Sequence, residues 1–193
     1  MSKLHFKYGA MNSGKSSLLI NTAFNYTERG LEVLVVKPAV DTKGNDWIVS
    51  RSGGRRQVDH LVTTDTNMIA LAAINETYPH ALLVDEAQFL TARQVSQLLY
   101  LAKFGGVSVI AYGLRTDFKS ELFEGSKRLF ELADVIEKMP TMCVCGSQAE
   151  FNMRMLDGQP TFDGTQVAIE GLTRYISTCG KCYIGASTGR FTE

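Results

Sequence analysis

One run of eight residues constrains the fold of this chain more than any other feature. Residues 9–16 read GAMNSGKS, which matches the pattern G-x-x-x-x-G-K-[ST] at every fixed position. Residues 4–8 alternate with period two and predict a strand before the run, and residues 16–29, without glycine or proline, predict a helix after it. A strand, a glycine loop and a helix in this order are typical of a loop whose backbone N–H groups bind phosphate oxygens.

Two side chains of this loop have predicted roles in binding a nucleotide. Lys15 is expected to reach the β- and γ-phosphates, and the Ser16 hydroxyl is expected to bind Mg²⁺. The alternative is a chance match in a turn between a strand and a helix. The flanking pattern favours nucleotide binding, although it does not identify the reaction.

A pair of acidic residues follows a second apolar run. Residues 81–84 predict a buried strand, and Asp85 and Glu86 come directly after it. An Asp at this point holds Mg²⁺ opposite the loop hydroxyl in nucleotide-binding proteins of this kind, and Glu86 is placed to accept a proton from a hydroxyl or from water. The alternative is that the two carboxylates stabilise the N-terminus of a helix near Thr91. The same residues would serve an ATPase or a kinase.

Apolar runs alternate with helical patterns over the first part of the chain. This pattern predicts an α/β fold, with a mostly parallel sheet flanked by helices on both faces, like that of P-loop nucleotide hydrolases. Further strands are predicted at 33–36, 107–112 and 135–139, and helices at 66–76, 91–103 and 122–133. Gly9, Asp85 and Gly113 follow strands and are expected at one edge of the sheet. Residues 41–59 lack a clear period and are expected to form a flexible loop, with a possible role as a lid.

The last part of the chain differs in character and contains every cysteine. Cys143, Cys145, Cys179 and Cys182 form two close pairs, which predicts a closed tetrahedral zinc site without a catalytic role. Two disulfides or four free thiols are the alternatives. Short alternating segments at 150–156, 166–169 and 175–178 predict a small β-rich zinc-binding module. We therefore predict two domains, 1–140 and 141–193.

The charge balance argues against several classes of protein. Lys plus Arg and Asp plus Glu both number 20, so the formal net charge is zero, whereas non-specific nucleic-acid binders are usually basic. No apolar run approaches the length of a membrane span, and the first residues do not resemble a secretory signal. We expect a cytoplasmic protein with neither a membrane nor a nucleic acid as its partner.

Four motifs, taken together, resemble one enzyme family. GAMNSGKSS, VDEAQF, YGLRTDFKSELFEGS and the C-terminal CVCG with YISTCGKCY occur in the order found in cellular-type thymidine kinases, especially their bacterial and phage branch. The resemblance implies Mg²⁺-dependent transfer of a phosphoryl group from ATP to the 5′-hydroxyl of thymidine and deoxyuridine, in pyrimidine salvage, with dTMP and ADP as the products from thymidine. It also implies a homotetramer inhibited by dTTP.

The resemblance also implies a role for individual residues. Glu86 would be the catalytic base, and Phe118 would lie against the thymine ring. The ATP contacts implied are Gly9, Ala10, Met11, Asn12, Ser13, Gly14, Lys15, Ser16, Asp85, Glu86, Ala87 and Gln88, with Ser16 and Asp85 on magnesium. The other substrate contacts implied are Met11, Phe89, Leu114 and Phe123, then Val167, Ala168, Ile169 and Glu170 of a base-covering loop called the lasso, and Tyr175. Taken alone, Phe118 and Phe123 are better explained by core packing, and the alternative for Tyr175 is a residue packed in a strand; the match to the family's motifs favours the substrate role.

The rival interpretation is a P-loop ATPase whose zinc module contacts nucleic acid. That function predicts a basic patch with interleaved aromatic residues after residue 140. The segment instead sets Arg154, Arg174, Lys181 and Arg190 against Glu150, Asp157, Asp163, Glu170 and Glu193. This slight acidic excess favours the kinase.

Overall fold

The computed structural model describes residues 2–73, 77–166 and 173–188, and its largest element is a parallel sheet. Its strands are β1 (Leu4–Tyr8), β2 (Val33–Pro38), β5 (His60–Val62), β6 (Ala81–Val84), β7 (Ser108–Gly113) and β8 (Val135–Lys138). The six strands lie in the order β5-β2-β6-β7-β1-β8, and every neighbouring pair is parallel. The carboxyl ends of β6, β7 and β1 are therefore adjacent, as predicted.

Helices cover both faces of this sheet. They are α1 (Lys15–Glu28) on one face and α2 (Met68–Ala72), α3 (Ala92–Phe104) and α4 (Glu124–Leu132) on the other. Leu34 and Val36 of β2 pack toward α2, α3 and α4, whereas Val35 packs with Leu19 and Ala23 of α1. Because both faces of the central strand β6 are covered, its four residues are all apolar and buried. The predicted α/β fold is confirmed.

The segment predicted to be a flexible loop contains regular structure. Residues 47–57 include an antiparallel hairpin of β3 (Trp47–Val49) and β4 (Arg55–Gln57), and β5 follows it at the edge of the main sheet. Ile48 is buried in the cluster that contains Leu19 and Ala23. The expectation of a loop was wrong because strands of three residues are too short to show an alternating pattern.

A smaller antiparallel sheet follows the main one along the chain. Its strands are β9 (Phe151–Leu156), β10 (Gln159–Thr161) and β11 (Thr173–Thr178), with β9 in the centre, and α5 (Gly180–Ser187) follows them. Asp157 and Gly158 both have positive φ angles and form the tight turn from β9 to β10. The β-rich C-terminal module is confirmed, although β10 and α5 were not predicted and residues 167–169 of the predicted strand 166–169 lie outside the described residues. Among the helices described, none is long and apolar enough to cross a bilayer.

Candidate active site and cysteine cluster

The glycine loop begins where β1 ends, beside the end of β7. The Gly9 N–H donates to the Gly113 carbonyl at 3.3 Å. A Cβ at position 9 would lie 2.5 Å from Ser13 Oγ and 2.6 Å from the Met139 carbonyl oxygen. Only glycine therefore fits the start of the loop, because any side chain would displace backbone on one side.

Lys15 is buried inside the loop. Its Nζ donates to the carbonyl oxygens of Gly9, at 3.1 Å, and Ala10, at 2.9 Å, and to Ser13 Oγ at 3.2 Å. Burial lowers the pKa of the ammonium group, and the carboxylates of Glu86 and Asp85 act in the opposite direction. The ammonium group is thus held within the loop and faces the acidic pair.

Asp85 has the environment of a metal ligand. Ser16 Oγ donates to Asp85 Oδ2 at 3.3 Å, and within the described ranges Oδ1 is buried without a hydrogen-bond partner. Burial, followed by the charge of Glu86, raises the pKa of Asp85 to about 7. An unpartnered carboxylate oxygen beside a hydroxyl group fits the oxygen ligands that Mg²⁺ prefers.

Glu86 lies in a strained backbone conformation at the end of β6. Its φ is 48°, in the left-handed region, and it precedes a short 3₁₀ helix (Ala87–Phe89). Residues with side chains rarely adopt this conformation, and such strain is concentrated at functional sites. The helix near Thr91 has its own capping box, between Thr91 and Gln94, and no acidic residue in its first turn. The acidic pair is therefore not the N-terminal cap of that helix.

Gln88 connects Glu86 to the segment that follows β7. Its Nε2 donates to Glu86 Oε2 at 2.5 Å, and its Oε1 accepts from the Leu114 N–H at 3.0 Å. The side chain is almost completely buried. One amide group thus orients the half-buried carboxylate and fixes the start of the segment that carries Phe118 and Phe123.

The predicted base contacts form two groups in the structure. The rings of Phe89 and Phe123 meet edge to face, with centroids 5.5 Å apart. Phe118 is 1% exposed, and the Arg154 guanidinium lies over its ring, with Cζ 3.5 Å from the centroid. The same guanidinium group contacts Tyr175. The predicted lasso contacts Val167, Ala168, Ile169 and Glu170 lie outside the described residues.

The smaller sheet contacts the glycine loop directly. The Met11 N–H donates to Asn152 Oδ1 at 2.8 Å, and Ser177 Oγ donates to the Met11 carbonyl at 2.5 Å. Asn152 Nδ2 also donates to the Thr116 carbonyl at 3.2 Å. Sequence analysis did not single out Asn152 or Arg154. The available signal was the pair of polar residues in an otherwise apolar strand, β9.

The four cysteines form one cluster. Their Sγ atoms all lie within 4.8 Å of one another, and those of Cys145 and Cys179 are 3.6 Å apart. All four thiols are unbridged, which does not support the disulfide alternative. Four sulfurs about 2.3 Å from a tetrahedral zinc ion would lie about 3.8 Å apart, so the cluster is compatible with a zinc site.

The environments of two thiols in the cluster shift their pKa values in opposite directions. Hydrogen bonds from Ser147 lower the pKa of Cys145 to about 6. Desolvation and the neighbouring sulfurs raise the pKa of Cys182 to about 12. Four adjacent thiolates repel one another, and a divalent cation would remove that repulsion.

Comparison with known proteins decides the family. The family model described as "Thymidine kinase" matches residues 2–183, which is nearly the whole chain. The chain belongs to the thymidine kinase family. The match runs from β1 to α5, and it therefore includes the glycine loop, the acidic pair and the cysteine cluster.

Curated members of the thymidine kinase family resemble this chain over almost its full length. The thymidine kinase of Legionella pneumophila (strain Lens) is 42% identical over 195 residues, covering 98% of this chain and 93% of that protein. The thymidine kinase of Enterobacteria phage T4 is 42% identical over 184 residues, covering 94% and 95%. That of Vibrio cholerae (serotype O1, strain El Tor Inaba N16961) is 41% identical over 186 residues, covering 95% and 97%. The likeness to bacterial and phage thymidine kinases is thus confirmed.

One solved structure is similar to only part of this kinase. The Pif1 helicase from Candida albicans is 17% identical, with a TM-score of 0.42, and the match covers 72% of this chain and 36% of the helicase. This likeness is too slight to bear on function.

Proposed function

We propose that this kinase transfers the γ-phosphoryl group of ATP to the 5′-hydroxyl of thymidine, and of deoxyuridine, with Mg²⁺. The products from thymidine are dTMP and ADP, and the reaction belongs to pyrimidine salvage. The proposal is supported by the names of the curated relatives and by the four motifs that this chain shares with its family.

The observation that carries the proposal is the placement of Glu86. Its carboxylate acts to raise the pKa of Lys15 in the phosphate loop. It is also hydrogen-bonded to Gln88, which in turn binds the N–H of Leu114 at the start of the segment that carries Phe118 and Phe123. A general base for this transfer must lie between the phosphates and the nucleoside. Glu86 is the acidic side chain that these contacts connect to both.

In the proposed mechanism, the loop at residues 9–16 binds the triphosphate through its backbone N–H groups, with Ala87 and Gln88 at the edge of the ATP site. Lys15 exchanges its bonds to the carbonyl groups of Gly9 and Ala10 for bonds to phosphate oxygens. Glu86 accepts the proton of the 5′-hydroxyl while the oxygen of that hydroxyl attacks the γ-phosphorus atom. The bond from that atom to the β–γ bridging oxygen breaks, and ADP leaves.

Magnesium fits the residues beside the loop. Ser16 and Asp85 would hold it, because Asp85 Oδ1 is buried without a partner in the described part of the chain and its neighbour Oδ2 already contacts Ser16 Oγ. When bound, the ion neutralises charge on the phosphate oxygens. Asp85 must be ionised to bind it.

The base site is proposed around Phe118, with Met11, Phe89, Leu114, Phe123 and Tyr175 as further contacts. Aromatic walls suit a flat pyrimidine, and the backbone of residues 167–170 would bind its polar edge. The position of Tyr175 is consistent with this site, because Arg154 connects its hydroxyl to the ring of Phe118.

Zinc is proposed as a structural ion held by Cys143, Cys145, Cys179 and Cys182. When bound, it would join the chain before β9 to the chain after β11 and so stabilise a small sheet with little apolar core of its own. We propose that residues 1–140 and 141–193 are separate domains. The hydrogen bond between the Met11 N–H and Asn152 Oδ1 then crosses the boundary between them.

The resemblance to cellular-type thymidine kinases also supports a proposed assembly and regulation. We propose a homotetramer in the cytoplasm, inhibited by dTTP as the end product and binding neither nucleic acid nor membrane. Measurement of the molar mass in solution, with and without dTTP, tests the assembly. Inhibition of thymidine phosphorylation by dTTP tests the regulation.

The experiment that tests the proposed function is measurement of ADP release from ATP and Mg²⁺ with different acceptors. Thymidine, each of the other nucleosides and single-stranded DNA are added separately. We expect thymidine and deoxyuridine to stimulate ADP release and to yield their 5′-monophosphates. Stimulation by DNA alone would identify a nucleic-acid-dependent ATPase and would overturn the proposal.

A further inference from the structure

Arg154 is a buried charge without a carboxylate partner in the part of the chain that the structure describes. It lies in the centre of β9 and is 5% exposed. No ion pair joins it to any described acidic residue. Arginine is seldom fully buried without such a partner, because removing its charge from water is costly. Its environment therefore requires an explanation beyond packing of the sheet.

The guanidinium group is instead surrounded by carbonyl oxygens, a phenol and an aromatic face. Nε donates to Tyr175 Oη at 2.9 Å, and Nη2 donates to the Thr165 carbonyl at 2.8 Å. Nη1 donates to the Asp163 carbonyl at 3.3 Å. One face lies on the Phe118 ring, with Cζ 3.5 Å from the centroid. Arg is suited to this arrangement since its planar fork donates in several directions while it stacks.

These partners come from three separate parts of the chain. Asp163 and Thr165 lie just before residues 167–170, and Tyr175 lies shortly after them in β11. Phe118 belongs to the segment between β7 and α4. A single rigid group thus connects both flanks of the proposed base-covering loop to the ring proposed to contact the base.

We propose that Arg154 is a positioning residue for nucleoside binding. It fixes the Phe118 ring relative to the two flanks of residues 167–170, so that the base meets a site already formed. A methionine of similar length could fill the same space, but it would fix none of these groups. We therefore assign the charged side chain at this position a positioning role. The proposal rests on the proposed base site at Phe118, and it assigns to Arg154 no contact with the reacting atoms.

The test compares Arg154→Met and Arg154→Lys with a matched control, Arg174→Met. Arg174 lies exposed on the same small sheet, in β11. We expect Arg154→Met to raise the KM for thymidine about tenfold or more, while the KM for ATP stays within about twofold. The KM for thymidine of Arg154→Lys should lie between those of the original protein and of Arg154→Met, because an ammonium group cannot donate in three fixed directions and stack. Arg174→Met should leave both KM values unchanged.

A second variant keeps the test decisive if Arg154→Met folds poorly. Tyr175→Phe removes only the hydroxyl group that Nε contacts, and we expect it to raise the KM for thymidine by about threefold. In a double-mutant cycle with Arg154→Lys, the two effects should be less than additive, because both remove the same hydrogen bond. Additive effects would overturn the proposal.

Further outcomes separate this inference from the proposed function. Equal rises in the KM for thymidine and for ATP, with a lower Tm, would show that Arg154 only stabilises the fold and would overturn the proposal. An unchanged KM for thymidine in Arg154→Met would also overturn it, even if Phe118→Leu weakens thymidine binding and so supports the base site. An unchanged KM for thymidine in Phe118→Leu would overturn both the base site and this inference.

Discussion

The backbone of Met11, in the phosphate loop, is held by the side chain of Asn152, in the small C-terminal sheet. Met11 N–H donates to Asn152 Oδ1 at 2.8 Å across 141 positions of sequence. The same side chain donates to the Thr116 carbonyl, so one buried amide joins the phosphate loop, the small sheet and the segment that carries Phe118. The proposed ATP and nucleoside sites are therefore connected by direct contacts.

Replacement of Asn152 by Ala tests this connection. The variant leaves the Met11 N–H and the Thr116 carbonyl without their partner, and a buried polar group that loses its partner destabilises a fold by about 1–3 kcal/mol. We expect urea denaturation to show a loss of that size in the free energy of unfolding. Asn21→Ala, at an exposed position of α1, is the matched control. An equal, small effect of both substitutions would show that the hydrogen bonds of Asn152 contribute nothing to the free energy of unfolding.

The pKa of Asp85 gives a second prediction, for the protein in buffer without Mg²⁺. In the unfolded chain this carboxyl ionises near its ordinary value of 3.8, whereas burial raises its pKa to about 7 in the folded protein. Between these pH values the folded state holds a proton that the unfolded state has lost, so the contribution of Asp85 to stability falls as the pH rises. Asp85→Asn removes this penalty.

We therefore expect Asp85→Asn to raise the free energy of unfolding by about 1–3 kcal/mol at pH 8 and by much less at pH 4.5. Denaturant titrations of both proteins at the two pH values measure the difference. The variant should also lose its response to Mg²⁺. A gain in stability that does not depend on pH would contradict the assigned environment of Asp85.

Removal of zinc is expected to affect the two substrates differently. Tyr183, in α5 directly after the second cysteine pair, donates to the Phe118 carbonyl at 2.6 Å, so loss of the ion would disturb the proposed base site. The phosphate loop also contacts the small sheet at Met11, but its two ends are fixed by β1 and α1, so we expect it to depend less on the ion. After treatment with a strong chelator, we expect the Kd for thymidine to rise about tenfold and that for ATP less than about threefold.

Calorimetric titration of both ligands, before and after chelation and after zinc is restored, measures these changes. Restored thymidine binding would show that the loss is due to the metal. An equal loss of affinity for both ligands would argue against a separate C-terminal domain that carries the base-covering loop.

The sequence predicted the features that depend on local pattern. The glycine loop at residues 9–16 and the strand at Asp85 could be predicted because fixed spacings and continuous apolar runs are properties of neighbouring residues. The adjacency of Gly9, Asp85 and Gly113 followed from the rule that parallel strands end at one edge. The hairpin at residues 47–57 was missed because its short strands are specified by contact with α1.

The contacts that organise the site could not be predicted in this way. Gln88 and Asn152 form hydrogen bonds to the backbone N–H groups of Leu114 and Met11. Arg154 stacks on the ring of Phe118, and the two residues of each pair are far apart in sequence. Such contacts depend on how elements distant in sequence pack against one another, which no local period encodes. The resemblance to the family supplied the predicted substrate contacts, but it did not single out Asn152 or Arg154.

The proposed role of Glu86 as the general base is tested most directly by the turnover of Glu86→Gln. The amide that this substitution introduces can still accept the hydrogen bond from Gln88 but cannot accept the proton of the 5′-hydroxyl. We expect kcat for thymidine phosphorylation to fall by about 10²–10⁴-fold, while ATP and thymidine bind within about threefold of their original affinities. Glu28→Gln, on the exposed face of α1, serves as the control and should keep full activity. A kcat for Glu86→Gln within about threefold of the unsubstituted enzyme would contradict the account.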